Sequence, residues 1–338
     1  MACKIPKFVK LIGIGSILTI LLIEITLRML PVTTYLNYQN VSQPDPILKT
    51  TAPFIQHSLD WKFHQSTIRK VNNYGFPDDV DYQANTHPLA IIGDSYIQSL
   101  MLPYSDTLEG QIGKLLEPKK APVYSFGVPG YSLAGYIGSA EYASKTFQPR
   151  LFIFLLTSGD ITDSLGTKSG GTYFLSPKLE LEFKPTAPSK IGSLLFKSAL
   201  FRYLTFHLQF SLAAISPKPV SQNPINSPTI EQLSTRLLDY LEQKSTVRST
   251  NTIFIIDCDR DKIYHHQLQT DHQLPLFAQV AKNRGYQIVD TLPIFTSQYQ
   301  QSHRRVDFTP IDPHWNAMAH QLVAKAVYPV IKAKLVAK

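Results

Sequence analysis

Five short runs of apolar, β-favouring residues set what this chain can fold into: PLAII at 88–92, VYSFGV at 123–128, LFIFLLT at 151–157, TIFIID at 252–257 and YQIVDTL at 286–292. Each is too short for a buried helix and lacks the polar alternation of a strand with one wet face. Stretches with helical spacing separate them, at 106–117, 132–146, 229–244 and 274–284. Strands that are apolar on both faces and alternate with helices bury themselves as a parallel sheet covered on both sides. The expected fold is therefore α/β, a three-layer α/β/α domain around a doubly wound parallel sheet, over residues 86–338.

Local signals mark some boundaries. Gly285 after Arg284 reads as a helix C-terminus, and Ser227 followed by Pro228 as an N-cap and first helical position. The alternation breaks at 164–228, an insertion between the third and fourth strands that ends in the connector SPKPVSQNPINSP. The apolar part of this insertion, 194–215, would place Lys197, Arg202, His207 and Gln209 at depth if it crossed a bilayer. It is expected to cover the edge of a site or to lie against a membrane surface.

The N-terminus points to a membrane. Lys4, Lys7 and Lys10 precede LIGIGSILTILLIEITLRML at 11–30, a run of about bilayer-spanning length. Glu24 and Arg28, one turn apart near its far end, can pair or reach toward the interface. Positive charge ahead of the run favours a cytoplasmic N-terminus, residues 1–10, with the rest exported. A cleaved signal peptide is the rival reading, but no small-x-small cleavage site follows before Pro31. Residues 31–85 are expected to form a stalk leading into the domain. Lys and Arg outnumber Asp and Glu by 33 to 25, a net +8 that is spread along the chain without a basic block. That distribution argues against a nucleic-acid groove.

In an open parallel sheet, ligands bind beyond the carboxyl ends of the strands. Ser95 lies at the end of the first strand, Gly127 and Gly130 at the end of the second, and TSGD, 157–160, at the end of the third. The three loops should open onto one crevice. Near the C-terminus, Asp312-Pro313-His314 precedes a helix expected to start near Asn316. Pro313 stiffens the tripeptide, and a carboxylate two residues before a histidine can hold one imidazole nitrogen while the other acts as base. Ser95 alone could equally be a helix N-cap, and His314 a surface histidine beside Trp315. Asp94, Asp160, Asp163 and the terminal-helix His320 read as structural. Asp257, Asp259, Asp261, His265, His266 and His272 match no zinc or calcium spacing and read as a solvated loop. Cys3 and Cys258, the only cysteines, suit neither a disulfide nor a metal site.

GDS at 93–95 after an apolar strand, the block SFGVPGYS at 125–132, TSGD after the next strand and DPHWNAMAH at 312–320 together resemble the SGNH, or GDSL-type, hydrolases. The last block looks more like the membrane-anchored bacterial branch that includes polysaccharide O-acetyltransferases. The resemblance implies a flavodoxin-like α/β/α fold and ester chemistry without metal or organic cofactor. It also implies Ser95 as nucleophile, His314 as base, Asp312 as the group orienting it, and the backbone N–H groups of Ser95 and Gly130 as oxyanion donors. Two positions depart from the pattern: Gly159 and Ser125 stand where the family carries asparagines, and Gly159 contributes at most a backbone group. The implied protein is a membrane-anchored esterase or O-acyltransferase for acyl esters, notably acetyl, of an extracytoplasmic glycan. The alternative is a catalytically impaired relative that binds or guides a polysaccharide.

Overall fold

A computed structural model describes residues 7–40, 46–116, 121–166, 171–186, 190–210, 228–265 and 272–336. Cys3, Lys4, His266 and most of the 216–228 connector lie outside the described residues. Five strands form the central sheet: β1 (Leu89–Gly93), β2 (Val123–Gly127), β3 (Leu151–Leu156), β4 (Thr252–Ile256) and β5 (Gln287–Asp290). Their order is β5-β4-β3-β1-β2, and every pairing is parallel. The chain runs outward from β1 in both directions, so the switch point of the sheet falls at the tip of β1.

Both faces of the sheet are dry. On one, Ala90, Ile92, Phe126, Phe154 and Phe254 pack with the helices Leu133–Thr146, Ile230–Lys244 and Gln273–Asn283. On the other, Leu89, Ile91, Ile153 and Ile255 pack with the helices Leu108–Leu115, Thr291–Ser302 and Ala317–Val336. Alternate residues of one strand enter opposite cores, which is why the strands read as unbroken apolar runs. The domain is the expected three-layer α/β/α structure.

Three local expectations change. The helix at 230–244 is capped by Thr229, whose hydroxyl accepts from Gln232 N–H while the Gln232 side chain returns to the Thr229 N–H. Pro228 therefore precedes the cap and is not the first helical residue, while Ser227 lies outside the described residues; the reciprocal capping box at Thr229 satisfies two free N–H groups. Residues 31–85 do not stand off as a bare stalk. They carry an antiparallel hairpin, Phe54–Ser58 with Ser66–Lys70, and they send Ile47, Phe76 and Tyr82 into the first core. Asp312–Trp315 is not a loop but a strand, paired antiparallel with Asp307–Phe308.

The hairpin is tied down by Arg69, wholly buried, whose guanidinium donates to Pro77 O (3.0 Å) and lies 3.6 Å from the buried Glu109 carboxylate. Burial pushes the Glu109 carboxyl up to about 7 despite the attraction of Arg69. A carboxyl held above its unfolded range contributes its stability in full below about pH 4.5, and that contribution is lost as pH rises through about 7. Glu109→Gln is accordingly expected to flatten the fall in melting temperature between pH 5 and 8. Differential scanning calorimetry across that range checks it.

The helix Lys7–Arg28, here α1, contains the 21-residue stretch Phe8–Arg28, long and apolar enough to cross a membrane and exposed along most of its length, with Leu27 buried at its end. The insertion holds an antiparallel hairpin, Thr172–Leu175 with Leu181–Lys184, followed by short helical turns at Lys190–Leu195 and Ala199–His207.

Candidate active site

Ser95 opens a one-turn helix, Ser95–Gln98, directly after β1. The turn is capped by Asp94, which accepts the Tyr96 N–H at 2.9 Å, so the capping role weighed for Ser95 belongs to its neighbour. The turn sits against β2 only because residue 127 is glycine: a Cβ there would lie 2.3 Å from Gln98 N. Behind the serine, Asp94 also accepts the Thr157 hydroxyl at 3.2 Å. Asp160 accepts the Thr157 N–H (2.7 Å) and the Tyr136 hydroxyl (3.0 Å). Burial raises both carboxyls, Asp94 to about 6.

The Asp312–Trp315 strand brings the C-terminal block to this tip. His314 Nε2 is 2.7 Å from Ser95 Oγ, and His314 Nδ1 is 2.5 Å from Asp312 Oδ1. With Nδ1–H donating to the carboxylate, the Nε2 lone pair faces the serine hydroxyl. Asp312 Oδ1 also accepts the His314 backbone N–H at 2.7 Å. Burial pushes the Asp312 carboxyl up, but the hydrogen bond and charge of His314 outweigh it and leave the group below the ordinary carboxylate range. Ser95 and His314 are 219 residues apart in the chain.

A second set of residues, given no part in the site from the sequence, fixes this strand. Arg260 Nη1 donates to both oxygens of Asp257 (2.8 and 2.6 Å), Nε to Asp307 Oδ2 (3.1 Å), and Nη2 to Tyr96 OH (2.9 Å) and Pro313 O (2.8 Å). Trp315, wholly buried, donates its indole N–H to Asp257 Oδ1 at 3.0 Å. The Tyr96 ring packs against the His314 imidazole, centroids 4.5 Å apart. Asp257 and Arg260 are therefore no solvated loop; the charges pair and leave water. His57, from the hairpin, senses the charges of Asp312 and His314, and burial holds its imidazole down to about 4, neutral at physiological pH.

Ser95 and His314 open onto a crevice of about 720 Å³, also lined by Thr157, Ser158, Asp257, Asp259 and Asp261. Thr157 spends its N–H on Asp160 and its hydroxyl proton on Asp94, and Ser158, the next residue of the third loop, is exposed on the crevice wall. Gly159 is at φ +93°, where asparagine is strained, and a Cβ would meet Asp163 at 3.4 Å. Gly130 does not line this crevice, as the convergence of three loops would have it, but the wall of a separate, smaller cavity with Ser132 and Asp163. The backbone N–H groups of Ser95 and Gly130 make no hydrogen bond within the described residues. His320 is buried in the terminal helix with Nε2 3.1 Å from Ser99 Oγ, a packed histidine. Among the described residues no group of three His, Cys, Asp or Glu side chains gathers as a metal site.

No family model matches the chain, and no curated protein matches it. Among solved structures it is similar to a member of the lipolytic protein G-D-S-L family from Veillonella parvula, at 14% identity over 72% of this chain and 98% of that one, TM-score 0.39. It is similar to a carbohydrate acetylesterase family member from Sinorhizobium meliloti, at 14% identity over 73% and 98%, TM-score 0.36. It is also similar to an acetyl xylan esterase, at 11% identity over 72% and 99%, TM-score 0.43. What the fold itself shows is a five-stranded parallel sheet with helices on both faces, a three-layer α/β/α architecture.

Proposed function

We propose that the protein is a serine esterase or O-acyltransferase whose nucleophile is Ser95. One observation carries the reading: a hydroxyl, an imidazole and a carboxylate follow one another at 2.7 and 2.5 Å, at the switch point of a parallel sheet. Serine is too weakly acidic to attack unaided at neutral pH, so a base within hydrogen-bond reach must take its proton. Ser95 Oγ attacks the acyl carbonyl as His314 Nε2 accepts that proton, and Asp312 stabilises the imidazolium. The oxyanion meets the N–H groups of Ser95 and Gly130. Collapse expels the alkoxide, which takes the proton from His314, and leaves acyl-Ser95. Water then gives an esterase, and an acceptor hydroxyl gives a transferase.

The crevice supports a hydroxyl-rich substrate. The carboxylates of Asp259 and Asp261 offer hydrogen-bond acceptors along its walls, which suits a short acyl ester, acetyl above all, on a glycan. With α1 as a single-pass anchor and residues 1–10 in the cytoplasm, the domain over 86–338 acts outside the plasma membrane, reached through 31–85 and carrying its insertion at 164–228. The test is acetate release from acetylated oligosaccharides by the full chain in detergent, with and without an unacetylated acceptor glycan.

Asp312→Asn is expected to lower kcat/KM by about 10³- to 10⁴-fold, because the amide favours the wrong imidazole tautomer. Its melting temperature should stay near that of the parent, and the two measurements together separate chemistry from folding.

Gly159 favours a second reading, a relative that binds a polysaccharide without cleaving it, since the loss of one oxyanion donor costs about 3 kcal/mol. Glycan retention on a column without acetate release would select it.

A further inference from the structure

We propose that residues 190–210 form a paddle lying in the lipid interface, docked on the last turn of α1; this rests on the reading of α1 as a membrane anchor. The docking contacts are specific. The Glu24 carboxylate, near the end of the apolar run, accepts from Ser198 Oγ (2.8 Å), Ala199 N–H (3.0 Å) and Leu200 N–H (2.9 Å). It also accepts from Arg28 Nε at 2.8 Å, and Arg28 Nη2 donates to Lys197 O at 3.2 Å. Tyr35 stacks on Phe196 with ring centroids 4.0 Å apart. His207 closes the far end: its Nε2 accepts the Thr33 N–H at 3.1 Å, and its Nδ1–H donates to Asp60 O at 2.8 Å.

These bonds fix the height of the paddle along α1, at the turn where the apolar helix meets its polar end. At that level the paddle turns apolar side chains outward. Ile191, Leu194, Leu208 and Phe210 are 74, 65, 51 and 58% exposed. Trp61, 55% exposed, joins them through its carbonyl, which accepts the Tyr203 hydroxyl at 3.1 Å. Single exposed leucines are ordinary; a set of them beside the exit of a 21-residue apolar helix, with an exposed tryptophan, is continuous with the lipid-facing surface of that helix. The backbone and hydroxyl donors at 198–200 are taken up by Glu24 and the His207 imidazole by Thr33 and Asp60, and the exposed apolar side chains face away from these contacts. A phospholipid bilayer is the occupant, and the paddle holds the domain at one tilt to the membrane.

The experiment places tryptophan at Leu194, Leu208 and, as the anchor control, Leu18, each in a Trp61→Phe background with the buried Trp315 as a constant signal. The full chain, one copy per phosphatidylcholine nanodisc, is read with and without lipids brominated near the top of the acyl chain. The inference expects blue-shifted emission at 194 and 208 and quenching of about twofold, as for a tryptophan at the interface. Quenching at 18 with water-like, unquenched emission at 194 and 208 overturns the paddle and leaves the anchor standing. Blue-shifted emission without bromine quenching means that protein covers the face, and also overturns it. No quenching at any position ends both readings.

Discussion

Replacing Ser95 by alanine is expected to lower kcat/KM for p-nitrophenyl acetate by about 10⁴- to 10⁶-fold while leaving the melting temperature within a few degrees of the parent. The size follows from the chemistry: without Oγ there is no acyl-enzyme, and the remaining groups offer only binding and oxyanion donors. The near-unchanged stability follows from the local structure. Asp94 caps the turn, so alanine removes no cap. Ser95 Oγ is half-buried beside solvent and hydrogen-bonds to His314, so its loss strands no deeply buried partner. If the serine were merely structural, the pattern would invert, with a cost in stability and none in rate.

Arg260→Met is expected to cost about 3 to 5 kcal/mol of stability, because it strands a buried carboxylate that was paired. Asp257 loses both of its short ion-pair contacts, Asp307 loses one, and Pro313 O, on the strand carrying His314, loses the shorter of its two donors and keeps the Tyr96 hydroxyl. Arg260→Lys should recover part of the stability, since a charge remains, but little of the activity, since an ammonium cannot replace a planar fork that reaches four groups at once. Urea unfolding midpoints give the first quantity and kcat per folded enzyme the second. A role confined to folding would let lysine restore both together.

The parts of this fold legible in the sequence are those written locally. The unbroken apolar strands fixed the sheet because alternate residues enter two separate cores, and Ser95 and His314 stood out as side chains beside strong local punctuation, a strand end and an Asp-Pro-His turn. Asp257 and Arg260 were placed in a solvated loop for a physical reason: they pair three residues apart, as an exposed pair also can, and the groups that bury and orient the pair, Asp307, Tyr96 and Pro313, lie tens to more than a hundred residues away. Extending the strand-tip rule to β4 would have flagged Asp257, one residue beyond Ile256. The embedding of residues 31–85 had no such signal, since Ile47, Phe76 and Tyr82 are isolated apolar residues in polar, proline-bearing sequence. Asp312–Trp315 became a strand because Asp307–Phe308 offers a ladder that short-range pattern does not reveal.

The central claim is that Ser95 is activated by His314, and mapping the adduct formed with a fluorophosphonate tests it most directly. The full chain is treated at neutral pH, digested and read by mass spectrometry. One phosphonylated residue, Ser95, is expected, with labelling slowed by several orders of magnitude in His314→Ala. A folded, unlabelled Ser95, or labelling equally fast without the imidazole, would contradict it.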